Sequence, residues 1–199
     1  SRMILCITRS SLSIQTSNFY NVHLEMIQLN LNNIDNDYFA SAWELYEEAF
    51  PVYERRTLKA QSHLLKNPVY KFDVFIEKNV FIGFIMWWDF KDFQYIDHFA
   101  VTKSQRNKGN GAKILEDFIK GNSKPTLLEV ELPDSSINTK RIKFYERLGF
   151  KLNQHEYKVP SSIDDRKIDL LVMTYPRLIS QEILQEFVSN NHSVIFKSF

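Results

Sequence analysis

Apolar side chains recur along this chain in two spacings, and each spacing predicts a different element. Every-second-residue alternation predicts seven strands, and steps of three and four residues predict five helices. The strands are predicted at residues 26–31, 71–77, 80–90, 93–101, 126–132, 150–159 and 169–175. The helices are predicted at residues 36–50, 56–66, 111–120, 136–148 and 179–188.

Turn and cap residues fix the order of these elements. Lys78 and Asn79 form a two-residue link between two strands, which predicts an antiparallel hairpin. Gly121 and Gly149 stand where helix C-terminal caps belong. A hairpin meander followed by strand–helix–strand units predicts a mixed sheet with helices on its faces.

Composition and charge exclude several classes of protein. The 199 residues carry 25 Lys and Arg against 24 Asp and Glu, which argues against a nucleic-acid partner. The sequence has no apolar run long enough to span a membrane. The single cysteine, Cys6, excludes an intrachain disulfide framework and suits the cytoplasm. The five histidines lack metal-ligand spacing, so we expect no metal.

The chain divides into three parts. Regular patterning starts near Met26, so residues 1–25 are expected to be an N-terminal extension, and Ser1 and Arg2 resemble an expression scar. Residues 26–176 form the predicted domain, and residues 177–199 a C-terminal helix and tail. The apolar positions of residues 193–199 suit pairing with another chain, which leaves a monomer or a homodimer open.

Glycine is scarce, and two of the five glycines lie two residues apart at the start of a predicted helix. Gly109 and Gly111 would let an anion approach the backbone N–H groups there, and Arg106 and Lys108 add positive charge. A P-loop does not fit, because Ala112 stands where that motif has lysine. The spacing therefore indicates a phosphate-binding loop of another kind.

Residues 101–112, which read VTKSQRNKGNGA, resemble the acetyl-CoA loop of the GNAT superfamily of N-acetyltransferases. Residues 138–150, NTKRIKFYERLGF, resemble the second signature of that superfamily. The resemblance covers roughly residues 26–175. It implies an α/β (α+β) fold whose mixed, mostly antiparallel central sheet has about six to seven strands, with helices on both faces.

The same resemblance implies an acyltransferase that moves the acetyl group of acetyl-CoA to a primary amine by direct attack in a ternary complex. Asn138 matches a position that bonds the pantetheine or the loop backbone, and Tyr145 matches the tyrosine that protonates the CoA thiolate. The main chain of Phe99, Ala100 and Val101 would pair with the pantetheine arm. The amides expected to hold the pyrophosphate are those of Arg106, Asn107, Lys108, Gly109, Asn110, Gly111 and Ala112.

The chemistry supports a tyrosine as the acid, because a phenol stays protonated at neutral pH and can donate to a leaving thiolate. The alternative is that Tyr145 is a half-buried core residue beside Phe144.

The base that takes the amine proton is open among Asp97, His98, Glu129 and Glu131. Asp97 ranks first and Glu129 second, while His98 has a suitable resting pKa but also suits a hydrogen-bonded core position. A water relay without a single base is a further alternative. Strict alternation predicts Tyr95, Asp97, Phe99 and Val101 on one face of their strand and Ile96, His98 and Ala100 on the other.

The acceptor side is less determined. Residues 50–56, FPVYERR, resemble an element of a bacterial GNAT subgroup of uncharacterised members. Arg55 and Arg56 are candidates for binding an acceptor carboxylate or a CoA phosphate, and the alternative is a solvated helix start. Trp87 is a candidate wall of the acceptor site, against ordinary packing. The acceptor is a small-molecule or peptide amine.

Two other functions compete with acetyl transfer. The protein is alternatively a non-catalytic acyl-CoA-binding sensor, since the base is unassigned. Its many Phe residues also suit an acyltransferase that uses a longer acyl-CoA.

Overall fold

A computed structural model describes residues 26–161 and 166–197. Its centre is a seven-stranded sheet in the order β1-β2-β3-β4-β5-β9-β6, in which β4 and β5 are parallel and the other neighbours antiparallel. The strands are β1 Ile27–Asn30, β2 Tyr70–Glu77, β3 Val80–Asp89, β4 Gln94–Val101, β5 Thr126–Val130, β6 Lys151–Leu152, β7 Lys158–Pro160, β8 Lys167–Asp169 and β9 Leu171–Tyr175. Strands β7 and β8 form a separate two-stranded ribbon.

Five α-helices cover the two faces of the sheet. They are α1 Phe39–Ala49, α2 Leu58–Leu64, α3 Asn110–Lys120, α4 Ser136–Arg147 and α5 Gln181–Phe196. The apolar faces of α1, α2 and α5 belong to one buried cluster, and those of α3 and α4 belong to the other. This arrangement confirms the predicted mixed α/β sheet with helices on both faces. No helix of the described ranges combines the length and apolarity needed to cross a membrane.

The predicted hairpin is confirmed. Strands β2 and β3 pair antiparallel, and Lys78 and Asn79 between them have φ of 53° and 61°. Two consecutive residues with positive φ are the geometry of a tight hairpin turn whose twist matches that of the strands.

Two predictions of the C-terminal third are wrong in detail. Residues 150–159 form two short strands, β6 and β7, because a loop separates them and β7 pairs with β8 instead of the main sheet. The last helix continues to Phe196, and Ile195 is buried, so residues 193–196 are not a free tail. The expected extension at residues 1–25 lies outside the described residues, as do residues 198 and 199.

Strand β4 carries a bulge that overturns the predicted alternation. Trp87 of β3 is opposite Ile96, and Met86 is opposite His98, so Asp97 is an additional residue on β4. The bulge puts Asp97 and His98 on the same face, that of α1 and α2. Beyond the bulge, Phe99 and Val101 lie on the face of α3, and Ala100 lies on the face of α1. Strict alternation predicts instead that Phe99 and Val101 share a face with Asp97.

The bulge coincides with the place where β4 and β5 part. Their parallel pairing covers only the three pairs from Gln94–Thr126 to Ile96–Leu128. Strand β4 then continues through Val101 beside β3. The sheet is therefore open between the C-terminal ends of its two parallel strands.

Gly83 lies mid-strand in β3, opposite Val101 of β4. A Cβ at this position would overlap the backbone carbonyl oxygen of Ala100, and it would lie 3.0 Å from the Cα of Val101. The glycine thus permits the close approach of β3 to the end of β4, and backbone atoms cannot move aside as a flexible side chain can.

We expect Gly83→Ala to lower the free energy of unfolding by about 2 kcal/mol, the usual size of an overpacking penalty in a well-packed core. Gly121→Ala is the matched control, because Gly121 has φ of −74° at the end of α3. It should change stability by less than about 1 kcal/mol, within the Gly-to-Ala propensity difference. Chemical denaturation followed by circular dichroism measures both variants, and equal losses would contradict the assignment.

Candidate active site

The loop that follows β4 is shaped for an anion. A 3-10 turn at Lys103–Gln105 leads to Asn107, with φ of 61°, and to Gly109, with φ of 82°. Gly109 is the N-cap of α3, and glycine adopts this left-handed conformation without strain. The first N–H groups of α3 have no intrahelical acceptor, and the helix dipole makes this end positive. The loop therefore offers backbone donors to a phosphate.

Two cationic side chains are held at this loop. Arg106 Nε donates to the carbonyl oxygen of Val101 at 2.8 Å, which ties the guanidinium to the end of β4. Lys108 Nζ lies 3.3 Å from Gln105 Oε1. Asn110 Nδ2 bonds the main chain of Gln105 at 3.3 Å, closing the loop on itself. This set of donors suits a pyrophosphate.

Phe99, Ala100 and Val101 line the opening between the two parallel strands. Their main chain pairs with β3 on one side, from Gly83 to Ile85. Within the described residues, no strand pairs with them on the side toward β5. An extended group with amide donors and acceptors can occupy that edge as an added strand would.

A cleft of about 330 Å³ lies beyond the C-terminal end of β5. It brings together two of the predicted site residues, Glu129 and Asn138. Glu131, a further candidate for the base, also lines it. Five of its lining side chains are carboxylates, and none is Lys or Arg. The lining residues are Tyr53, Glu54, Glu129, Glu131, Leu132, Asp134, Asn138, Val159, Pro160, Ile168, Asp169 and Leu170.

Some of these carboxylates are neutralised from outside the cleft. Glu131 pairs with the buried Arg141 at 2.8 Å, and Asp169 pairs with Lys158 at 2.8 Å. Burial and the charges of Glu54 and Glu131 raise the pKa of the Tyr53 phenol at the rim. Because five carboxylates and no Lys or Arg line the cleft, the electrostatic field in it is negative and favours a cation.

Glu129, at the inner end of the cleft, is 3% exposed. Its Oε1 accepts a hydrogen bond from Tyr157 Oη at 2.5 Å. Tyr157 Oη also lies 2.7 Å from Nε2 of His192 on α5. Glu129 thus combines access to the cleft with a fixed orientation.

Asp97, the other predicted base, has different surroundings. Its carboxylate forms a buried ion pair with Arg56, accepts from Trp88 Nε1 at 3.2 Å and lies 3.3 Å from His98 Nδ1. His98 packs edge-on against Tyr46 at a ring distance of 5.0 Å. Asp97 and His98 belong to a polar cluster beneath the sheet surface, outside the lining of the cleft.

The two predicted arginines differ in burial. Arg56 is 2% exposed, so the alternative of a solvated helix start is wrong for it. Burial lowers the pKa of the Arg56 guanidinium, but the charge of Asp97, the phenols of Tyr70 and Tyr46 and the hydrogen bond to Asp97 together outweigh this, and the pKa lies above its ordinary value. Arg55 is partly exposed and donates to the carbonyl oxygen of Glu47 at 3.0 Å.

Tyr145 is fully buried beside Phe144, at a ring distance of 5.2 Å, and Phe150, at 5.7 Å. Burial raises the pKa of the Tyr145 phenol, and the nearby charge of Arg141 only partly opposes this. The phenol therefore keeps its proton at neutral pH, as a proton donor must.

Trp87 packs on Phe118 of α3 at a ring distance of 5.1 Å, and its Nε1 donates to Asp73 at 2.6 Å. Trp88 lies on the opposite face, stacked on Phe90. The two indoles thus face opposite ways, as adjacent strand residues should, and Trp87 lies outside the lining of the cleft.

Sequence reasoning missed several residues at the cleft and behind it. Asp169 of β8 lines the cleft, whereas Tyr157, from the loop before β7, and His192, from α5, are connected to it through Glu129. None stands in a motif or at a characteristic spacing from Glu129, so the sequence held no signal for them. Among the described residues, no group of three or more His, Cys, Asp or Glu side chains is arranged to hold a metal ion.

Comparison with known proteins finds a family match for the middle of the chain. Residues 69–152, from β2 to β6, match the model of the acetyltransferase (GNAT) domain. The chain is 28% identical over 157 residues to YjbC of Bacillus subtilis (strain 168), named as an acetyltransferase, covering 77% of this chain and 80% of YjbC.

Solved structures share the fold. A GNAT-family protein of Bacteroides thetaiotaomicron superposes with a TM-score of 0.76 at 27% identity, covering 83% of this chain and 98% of the other. Naa50 of Arabidopsis thaliana, in complex with the bisubstrate analogue CoA-Ac-MVNAL, has a TM-score of 0.53 at 16% identity, covering 75% and 97% of the two chains, a likeness of fold alone.

The anion-binding loop after β4, the opening between the parallel strands and these similarities lead to one assignment: residues 69–152 match the acetyltransferase (GNAT) domain, and the protein is an acyltransferase.

Proposed function

We propose that this protein transfers the acetyl group of acetyl-CoA to a primary amine by direct attack in a ternary complex. The observation that carries the proposal is the opening between β4 and β5, because the C-terminal ends of parallel strands lie at one edge of the sheet. The anion-binding loop follows β4 at that edge, and the carboxylate-lined cleft follows β5. A donor and an acceptor bound there would meet between the strands.

Acetyl-CoA is expected to bind along β4. The N–H groups from Arg106 to Ala112 would hold the pyrophosphate, with Arg106 and Lys108 as cations. The main chain of Phe99–Val101 would pair with the pantetheine. The CoA-containing analogue in Naa50 supports a CoA substrate for this fold, since that complex has it bound.

The amine is expected to bind in the cleft. An alkylamine is protonated at neutral pH, and the carboxylates that surround the cleft stabilise that cation. The apolar lining from Leu132, Val159 and Leu170 suits the carbon chain that carries it. The negative field also disfavours acceptors that carry carboxylates of their own.

Glu129 is the base that we favour for the amine. It lines the cleft, whereas the carboxylate of Asp97 is enclosed by Arg56, Trp88 and His98. A general base must come within hydrogen-bond reach of the proton that it takes. Access to the cleft therefore reverses the order of the two candidates, Asp97 and Glu129.

In the proposed step, Glu129 removes a proton from the ammonium group, and the free amine attacks the thioester carbonyl. An N–C bond forms as the C–S bond breaks, and Tyr145 gives its proton to the departing thiolate. The raised pKa of Tyr145 keeps that proton available. The attacking nitrogen loses its second proton to solvent as the amide forms, the Tyr145 phenolate takes a proton back from solvent, and Glu129 releases its proton to solvent. The products are an N-acetyl amide, CoA and one proton. The single cysteine of the sequence suits a reducing compartment, and we expect the enzyme to act in the cytoplasm.

We expect Arg106→Gln to weaken CoA binding by about tenfold, since the variant loses a charge-assisted contact to phosphate at a partly exposed site. Isothermal titration with CoA measures the change. Lys120→Gln is the control, because Lys120 lies at the other end of α3 and pairs only with Glu116 among the contacts described for it. Equal weakening by both variants would contradict a pyrophosphate site at the helix start.

Release of CoA thiol from acetyl-CoA in a screen of amines tests the activity itself. Tyr145→Phe should lower kcat by about a hundredfold, the typical contribution of one general acid. CoA affinity should stay unchanged. Tyr38→Phe removes a hydroxyl from a residue that precedes α1 and does not line the cleft, and it is the matched control. Tight CoA binding without turnover on any amine would favour the non-catalytic sensor, and faster turnover with longer acyl-CoA would favour the longer-chain alternative.

We expect Glu129→Gln to lower kcat by about a hundredfold or more, because the amide cannot accept the proton. The stability of the protein and its CoA affinity should be unchanged. Asp97→Asn should instead lower the free energy of unfolding by about 3 kcal/mol, as it leaves the buried Arg56 charge unpaired. Thermal denaturation and thiol release separate the two effects. A fully active Glu129→Gln variant would overturn the assignment of the base.

A further inference from the structure

A hydrogen-bond chain of three side chains leads from the cleft to the C-terminal helix. Glu129 of β5, Tyr157 of the loop before β7 and His192 of α5 are joined by contacts of 2.5 and 2.7 Å. Glu129 and Tyr157 are buried, and His192 is half-buried. Two of the three lie outside residues 69–152, the range that matches the acetyltransferase domain.

The hydrogen positions in this chain are constrained by the inventory of donors. A phenol has one hydroxyl hydrogen, and a carboxylate can only accept. Tyr157 donates its hydrogen to Glu129 Oε1, so the 2.7 Å contact requires His192 Nε2 to be the donor to Tyr157 Oη. The geometry thus assigns a proton to Nε2 of His192 when Glu129 is charged.

The framework around the chain is rigid. The carbonyl oxygen of Tyr157 accepts a hydrogen bond from the backbone N–H of Leu170 at 3.1 Å. This bond fixes the loop to the residue that joins β8 to β9. His192 packs edge-on between Phe187, at a ring distance of 6.1 Å, and Phe196, at 5.0 Å. Helix α5 therefore holds the His192 imidazole in one orientation, and the imidazole in turn orients the hydroxyl of Tyr157.

We propose that Tyr157 and His192 are positioning residues that hold the carboxylate of Glu129 toward the acceptor amine. The proposal rests on the proposed function, in which Glu129 is the base. A glutamate side chain has three rotatable bonds, and the hydrogen bond from Tyr157 to Oε1 restricts them while Glu129 lines the cleft. The C-terminal helix thereby becomes part of the catalytic apparatus through His192.

Kinetics tests this role with 1,4-diaminobutane as the probe amine, chosen for the negative cleft. Tyr157→Phe keeps the ring and should lower kcat by about tenfold, a typical effect of lost orientation, with the KM for acetyl-CoA unchanged. His192→Leu should lower kcat in the same direction. His192→Gln should restore most of it, because its amide N–H can replace the Nε2 donor. Tyr38→Phe serves again as the hydroxyl control.

Nitrogen-15 NMR of the histidines tests the hydrogen-bond chain without an acceptor. His192 should be protonated at Nε2 at neutral pH in the wild type, and Tyr157→Phe should abolish that preference. His155 is the internal reference, since its Nε2 donates to the carbonyl oxygen of Ile179 at 2.7 Å and should be unaffected. A His192 signal that is unchanged by Tyr157→Phe would overturn the chain itself.

The outcomes separate the two proposals. Wild-type kcat in Tyr157→Phe, together with loss of turnover in Glu129→Gln, would overturn positioning and leave Glu129 as the base. Full activity of Glu129→Gln would overturn Glu129 as the base, and with it the positioning role, but it would leave acetyl transfer in place. No thiol release with any amine would overturn the proposed function, and the NMR result would still decide whether the three side chains are hydrogen-bonded. Loss of kcat in His192→Gln equal to that in His192→Leu would contradict a donor role for His192.

Discussion

The ion pair between Arg56 and Asp97 is the interaction on which the site depends. Both side chains are buried, so each charge is stabilised chiefly by the other, and loss of one partner costs about 3–5 kcal/mol. Asp97 is also the additional residue in the β4 bulge. The pair therefore anchors the segment before α2 to the point where β4 and β5 part.

The opening between those strands organises everything at the C-terminal edge of the sheet. Gly83 permits β3 to pair with β4 beyond the bulge, as far as Val101. The end of β4 therefore remains part of the sheet where it no longer pairs with β5. The loop after β4 then places the positive end of α3 beside the opening. The cleft beyond β5 is negative, and the two halves of the site thus have opposite charge, which suits a phosphate-bearing donor and a cationic acceptor.

Most of the fold could be predicted from local pattern, because strand and helix periods depend on which residues face the core. The hairpin at Lys78 and Asn79 and the helix after Gly109 follow from turn and cap chemistry alone. The bulge at Asp97 could not be predicted, since it depends on register against β3 and on a partner 41 residues away, Arg56. One extra residue then reversed the faces of Phe99 and Val101.

The sequence by itself determined the class of the protein, since the loop around Gly109 and the element around Tyr145 are contiguous motifs whose chemistry is carried by neighbouring residues. The tertiary structure decided which carboxylate meets the cleft. Asp97 and Glu129 look equivalent along the chain, but one is enclosed by Arg56 and Trp88, and the other lines the cleft beside Tyr157. Burial and partnership are set by residues distant in sequence, and those packing contacts exist only in the folded chain.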